Sequence, residues 1–140
     1  MASLEGFLDE LIAVVGSASG IRYAPQDPPS SIASDPAAVV WLASGECVIG
    51  PPELATYHHD VRISLMTSMQ NIAIANQRIL PRIETVIEAV WDKLRSSADG
   101  FDNCQNIERI TFTYGPIQWG DVWYFGALID LEEVKIQRTL

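Results

Sequence analysis

The sequence contains little that would serve metal or redox chemistry. Its only cysteines, Cys47 and Cys104, form no CxxC motif and have no Cys/His spacing typical of a ligand set. Two isolated thiols suit a reducing cytoplasm better than a disulfide framework. His58 and His59 are the only histidines. Neighbouring residues on a strand point to opposite faces, so these two do not readily share one metal ion, and we expect no metal and no cofactor.

Basic residues are also scarce. The 140 residues hold 9 Lys and Arg against 18 Asp and Glu, a formal net charge of −9. The first seventy residues contain only Arg22 and Arg62 as basic side chains. Because duplex affinity comes largely from Lys and Arg on phosphates, this balance argues against a DNA- or RNA-binding module. It does not exclude a protein that DNA merely passes.

Long apolar runs are absent. No run approaches the roughly 20 residues that a membrane-spanning helix needs. No basic region precedes the first apolar stretch, which Glu5, Asp9 and Glu10 interrupt, so we expect no secretory signal and no membrane contact. Apolar residues still make up 48% of the chain, which is ordinary for a globular protein. The length is typical of one domain, and we predict a single domain over residues 1–140.

Catalytic motifs are missing as well. There is no GxSxG elbow, no GxxxxGK[ST] loop and no GxGxxG turn. Cys47 has no recognisable base partner. Asp130, Glu132 and Glu133 form an acidic strand end, which is usually solvated. We expect no catalytic residue and no enzyme. A small enzymatic or ligand-binding domain is the weakest of the three functions considered, the other two being structural roles.

Two helices are predicted. The first covers roughly residues 3–15, with Ser3 as N-cap and Gly16 as terminator. The second covers about 71–95, and Pro81 inside it predicts a kink or a restart. Both carry an apolar stripe at helical spacing.

Strands are predicted at residues 37–43, 56–67, 107–114 and 122–137, with a short return strand at 47–49 after a turn at Ser44–Glu46. Gly115–Pro116 is predicted to end the third long strand, and Gly126 to mark a bend or a bulge. The pattern indicates an α+β fold. We expect a mixed or antiparallel sheet of about four to five strands with two main helices packed on one face.

Residues 17–36 are rich in Pro, Ser and Ala and form a predicted extended loop. Pro25, Pro28, Pro29 and Pro36 exclude regular helix and central strand. Loops of this length are usually functional or mobile. The segment is therefore either an arm that orders against a neighbouring molecule or a flexible surface loop.

The candidate interaction residues are aromatic, proline and acidic. Trp41 and Trp91 lie on apolar stripes and are predicted to be core. Trp119 and Trp123 flank a turn, where they serve either as core or as interface anchors. The full interface set is Trp119, Trp123, Tyr124, Tyr57, Pro28 and Pro29. Glu84, Glu88 and Asp92 form an acidic row on the second helix, either a solvated face or one that meets a basic partner or lines a DNA passage.

Residues 61–131 resemble the tail terminator (tail completion) proteins of long-tailed bacteriophages. The resemblance runs through the segments DVRISLMTS, RILPRIETVIEAVWDKL and ITFTYGPIQWGDVWYFGALIDLEEV. These share the order of a strand, a helix with an apolar–Pro step, a Tyr–Gly step, an aromatic–Gly step and a long closing strand. The first helix and the strand after the Pro-rich loop also fit, whereas residues 17–36 do not align.

The resemblance implies a virion protein of the tail or neck, assembled in the host cytoplasm. It would form a ring, usually a hexamer, that caps the tail tube, stops its polymerisation and offers a docking surface to the head–tail connector or stopper protein. Its partners would be its own copies, the tail tube protein and that connector, and genome DNA would pass without specific binding. The alternative is a neck or head-completion protein, a stopper or an adaptor, of similar fold.

Overall fold

Two capped helices are present. The structure is a computed structural model that describes residues 2–50, 53–69, 71–96 and 100–139. Helix α1 spans Leu4–Gly16, and the Ser3 hydroxyl accepts a hydrogen bond from the Gly6 amide at 3.0 Å. Helix α2 spans Ile72–Arg95, with Asn71 as its N-cap. It continues as one helix through Pro81, so of the predicted kink or restart the restart is wrong.

Four strands form one antiparallel sheet in the order β1-β2-β4-β3. Their bounds are Ala37–Gly50 for β1, Leu54–Ser68 for β2, Asn106–Trp119 for β3 and Val122–Thr139 for β4. The α+β prediction with four to five strands is confirmed, and the sheet is antiparallel throughout. No helix in the described part of the chain is long and apolar enough to cross a membrane.

Strand β1 corrects the prediction of a turn at Ser44–Glu46. The strand runs through these residues, and Ser44, Gly45 and Glu46 pair with Asp60, His59 and His58 of β2. A bulge between Leu42 and Ser44 shifts the register by one residue, and the pairing with β2 continues beyond it. The predicted return strand at 47–49 is therefore the outer half of β1, and its partner is β2.

Strand β3 corrects the predicted turn at Gly115–Pro116. These residues lie within the strand, opposite Gly126 and Phe125 of β4. Proline is tolerated here because β3 is an edge strand, where one side of the backbone needs no ladder partner. The chain reverses at Gly120–Asp121 instead, where Gly120 has a φ of 62°. A positive φ at the first position of a two-residue hairpin loop favours glycine.

Of the bend or bulge predicted at Gly126, the bulge is wrong. The strand register is regular there, and a Cβ on Gly126 would lie 1.7 Å from the Leu65 carbonyl oxygen, so close packing of backbone requires the glycine. The actual bulge lies further along β4, between Leu131 and Val134. Glu133 has a φ of 55° within it. The bulge moves Val134 and Ile136 onto the buried face.

The core lies between the two helices and one face of the sheet. It is built from fully buried apolar side chains of α1, α2 and the two central strands: Phe7, Leu11, Val15, Ile63, Leu65, Ile79, Val86, Ile129 and Leu131. The Trp91 prediction is wrong, because this side chain is 50% exposed on the flank of α2. Trp41 is only partly buried and lies on the other sheet face, which we call the open face.

The Pro-rich segment is attached to its own chain at several points. The Asp35 carboxylate accepts hydrogen bonds from the Thr67 hydroxyl at 3.0 Å and from the Ser68 amide at 2.6 Å. Tyr23 bridges to the start of β1, where its carbonyl accepts from the Ala38 amide at 2.8 Å. At this end the open face is shielded from solvent, since Val39, Ser64 and Met66 are fully buried there.

Candidate interaction surfaces

Trp119 joins the β3–β4 hairpin to the Pro-rich segment. Its indole N–H donates to the Pro29 carbonyl at 2.9 Å. Its ring meets Trp41 edge to face, with ring centroids 6.1 Å apart and planes at 89°. Trp41 in turn donates to the Ser64 hydroxyl at 2.8 Å, and Arg62 lies over its ring. Trp119 and Pro29, two of the predicted interface residues, are therefore partners of each other within one chain.

Trp123 and Tyr124 do not form one patch. They are neighbours in β4, and they pair with Gln118 and Ile117 respectively. Adjacent strand residues point to opposite faces, so one aromatic ring lies on each side of the hairpin. Trp123 is 54% exposed, whereas Tyr124 is partly buried. Pro28 is exposed beside the partly buried Pro29.

Tyr57 borders a hollow of about 400 Å3 on the helix-covered face of the sheet. Its ring stacks on His59, with centroids 5.8 Å apart and planes at 5°. Leu4 at the start of α1 and Leu42 and Cys47 of β1 complete the wall. Burial lowers the pKa of His59, and the nearby Asp60 carboxylate opposes this shift in part.

His58 lies on the opposite side of the sheet from His59, as the sequence predicts. It borders a separate hollow of about 250 Å3 with Glu46, Asp60 and Glu133. A hydrogen bond to Glu108 raises the pKa of Glu133, because the two carboxyl groups share a proton more easily than both ionise. Among the described residues no group of three or more His, Cys, Asp or Glu side chains is placed to hold a metal ion.

Asp60 sits between two bulges. Its carboxylate accepts from the Ser44 hydroxyl at 2.9 Å, next to the β1 bulge. It also accepts from the Glu133 amide at 3.1 Å, inside the β4 bulge. The carboxylate thus fixes both neighbouring strands at the point where their registers shift. The sequence carries no sign of this role, because Asp60 only follows two histidines there.

The acidic row of α2 faces solvent. Glu84, Glu88 and Asp92 are all exposed. Asp92 pairs with Arg95 at 3.1 Å, where both side chains are more than half exposed. Exposed pairs of this type contribute little to stability, about 0–1 kcal/mol. The row therefore presents negative charge to the surroundings and has no evident structural task.

Exposed apolar residues on the two outer strands were missed as interaction candidates. Phe112 and Tyr114 of β3 and Leu42, Val48 and Ile49 of β1 are all about half exposed or more. In the sequence, Ile110, Phe112 and Tyr114 alternate as a core-facing row would. Only the placement of the helices, which cover β3 at Ile107 but not at Phe112 and Tyr114, shows that this row extends beyond the cover.

No protein-family model and no curated protein sequence matches this chain.

Proposed function

We propose that this chain is a tail terminator subunit of a long-tailed bacteriophage, a structural virion protein. Its copies form a hexameric ring that caps the tail tube, stops polymerisation and receives the head–tail connector. The resemblance of residues 61–131 to that family supports the proposal, and so does the α+β fold. The proposed partners are its own copies, the tail tube protein and the connector, with genome DNA passing without specific binding.

The observation that carries the proposal is the state of the two outer strands. Within the described residues, β3 pairs only with β4, and β1 pairs only with β2 beyond the Tyr23 bridge at its first residue. Both strands bear exposed apolar side chains. Long unpaired edges with apolar side chains promote association, and a protein that assembles into a ring uses them.

The acidic row adds support of a different kind. Glu84, Glu88 and Asp92 place negative charge on one exposed helix face. A channel wall of this sign repels phosphates and lets DNA pass without being held.

The test of this function is assembly on tail tubes. Purified chain should give a discrete oligomer by light scattering, alone or when isolated tail tubes are added. Added to polymerising tube protein, it should arrest elongation and give capped tubes of fixed length in negative-stain images. A chain that stays monomeric at high concentration with tubes present, and that leaves tube length unchanged, contradicts the proposal.

Binding to isolated capsids separates the terminator from its main alternative. A terminator should sediment with tail tubes and not with capsids that lack tails. A stopper or adaptor should show the reverse preference.

A further inference from the structure

The two edge strands of the sheet are equal in length. Strands β1 and β3 each have 14 residues and lie at opposite ends of the sheet. The outer edge of β1 is already hydrogen-bonded at its start, because the Tyr23 carbonyl accepts from the Ala38 amide at 2.8 Å. The half of β1 that follows the bulge, residues 43–50, is exposed along most of its length.

The strand directions are compatible with edge-to-edge joining. Three antiparallel steps separate β1 from β3, so the two strands run in opposite directions. When a second copy is placed beside the first in the same orientation, its β1 lies antiparallel to the first copy's β3. The sheet then continues with its ordinary hydrogen-bond pattern, and the helices of both copies stay on one face.

Most of the exposed apolar side chains of the two edges lie on the helix-covered face. Phe112 and Tyr114 pair with Ile129 and Ala127, which are buried under the helices. On β1, Leu42 and Cys47 pair with Val61 and Tyr57, which belong to the same helix-covered face. Ile49 follows Cys47 by two residues and shares its face. Edge-to-edge joining thus brings an apolar row against an apolar row.

The polar side chains of the two edges match in the same way. Thr111 and Thr113 pair with Asp130 and Leu128 on the open face. Ser44 and Glu46 of β1 pair with Asp60 and His58 on that face. Val48, which pairs with Thr56, and Ile117, which pairs with Tyr124, also lie on that face.

We propose that copies of this chain join head to tail through strand addition, with residues 43–50 of β1 forming an antiparallel pair with β3 of the next copy. The occupant of each free edge is therefore a second copy of this chain. This inference rests on the proposed ring and names its junction.

Native Cys47 provides the test. Cross-strand neighbours on one face have Cβ atoms about 4.5–5.5 Å apart, close enough for a disulfide after slight adjustment. Phe112→Cys and Tyr114→Cys each place a thiol on the face of Cys47. Under mild oxidation, at least one of them should give a ladder of covalent oligomers on a non-reducing gel. Burial raises the pKa of Cys104 to about 12, so this thiol does not compete.

The matched controls are the neighbouring positions on the other face. Thr111→Cys and Thr113→Cys are exposed on the same strand but point away from Cys47, so they should give no ladder. Adding Cys47→Ser to Phe112→Cys or Tyr114→Cys should abolish the ladder. Light scattering under reducing conditions should show that each variant still assembles.

The outcomes distinguish the junction from the function. An oligomer in which neither Phe112→Cys nor Tyr114→Cys cross-links to Cys47 overturns the junction and leaves the ring standing. Cross-linked dimers that persist after Cys47→Ser show β3 pairing with β3, which also overturns it. A chain that remains monomeric with tubes present overturns the ring and the junction together.

Discussion

At the scale of single residues, the carboxylate of Asp60 in β2 links its strand to both neighbouring strands, β1 and β4. Its carboxylate accepts from the Ser44 hydroxyl on one side and from the Glu133 amide on the other. A lone aspartate after two histidines gives no sign of this, because the two bulges appear only when strand registers are known. The opposite orientation of His58 and His59 is different, since the period of a strand alone predicts it.

Replacing Asp60 should show its contribution. Asp60→Ala removes two hydrogen bonds to a charged acceptor at a partly exposed site, and we expect the free energy of unfolding to fall by about 1–3 kcal/mol. Asp60→Asn keeps an acceptor and should lose less. Urea denaturation followed by circular dichroism measures both. Equal losses in the two variants would contradict an acceptor role.

His59 should make stability depend on pH. Burial lowers the pKa of His59, while in the unfolded chain it titrates near its ordinary value of about 6.5. As pH falls from about 7 to about 5, the unfolded chain takes up a proton more readily than the folded one, so the free energy of unfolding decreases. Thermal melts of His59→Gln should show a weaker decrease than those of the unaltered chain.

The matched variant for this effect is His58→Gln, on the other side of the sheet. If it weakens the decrease at low pH as much as His59→Gln does, burial of His59 is not the cause.

At the scale of elements, helices were predicted more accurately than strands. Ser3 and Asn71 mark the helix starts by their side chains, and both are observed N-caps. The strand ends were misplaced because Gly, Ser and Pro are tolerated in edge strands, where one side of the backbone is free. Both strands with a wrong turn, β1 and β3, are edges. The central strand β2 shows the predicted alternation of Val61, Ile63 and Leu65.

The two tryptophans of the β3–β4 hairpin should respond differently to truncation. Trp119→Ala removes the hydrogen bond to Pro29 and the contact with Trp41, so residues 25–36 should become more accessible to protease and the melting temperature should fall. Trp123→Ala removes a side chain that is 54% exposed and should leave both unchanged. Limited proteolysis with mass spectrometry identifies the cleavage sites. Equal protection of residues 25–36 in both variants would contradict the proposed attachment.

At the scale of the whole molecule, the fold class can be predicted from the sequence, whereas the exposed surfaces cannot. The α+β architecture follows from the order of helical and alternating segments. Which apolar residues stay uncovered depends on where the helices lie on the sheet. Phe112 and Tyr114 have the same alternation as buried residues, so no local pattern separates them from core. Trp91 was misplaced for the same reason, because it lies at the edge of the apolar stripe of α2.

The acidic row leads to a prediction about the assembled particle. Changing Glu84, Glu88 and Asp92 to Lys reverses three exposed charges, and the net charge rises from −9 to −3, since each change adds 2. If this face lines the DNA passage, the assembled oligomer should retain DNA more strongly at low salt in a filter-binding measurement.

The matched control reverses three exposed carboxylates elsewhere, Asp27, Glu53 and Asp121, and also reaches −3. DNA retention that is equal in the two triple variants would reflect net charge alone and would return the row to an ordinary solvated face.

The pair of bulges beside Asp60 also divides the sheet into two regions of unequal local stability. Towards Ala37 and Met66, side chains are buried on both faces, whereas towards Glu46 and Ile49 the side chains of β1 are exposed on both faces. Amide protons of the end near Glu46 and Ile49 should therefore exchange with deuterium through local opening. Amide protons of the end near Ala37 and Met66 should exchange only through global unfolding. The end of β1 offered to a neighbouring copy is then a segment that gains protection on assembly.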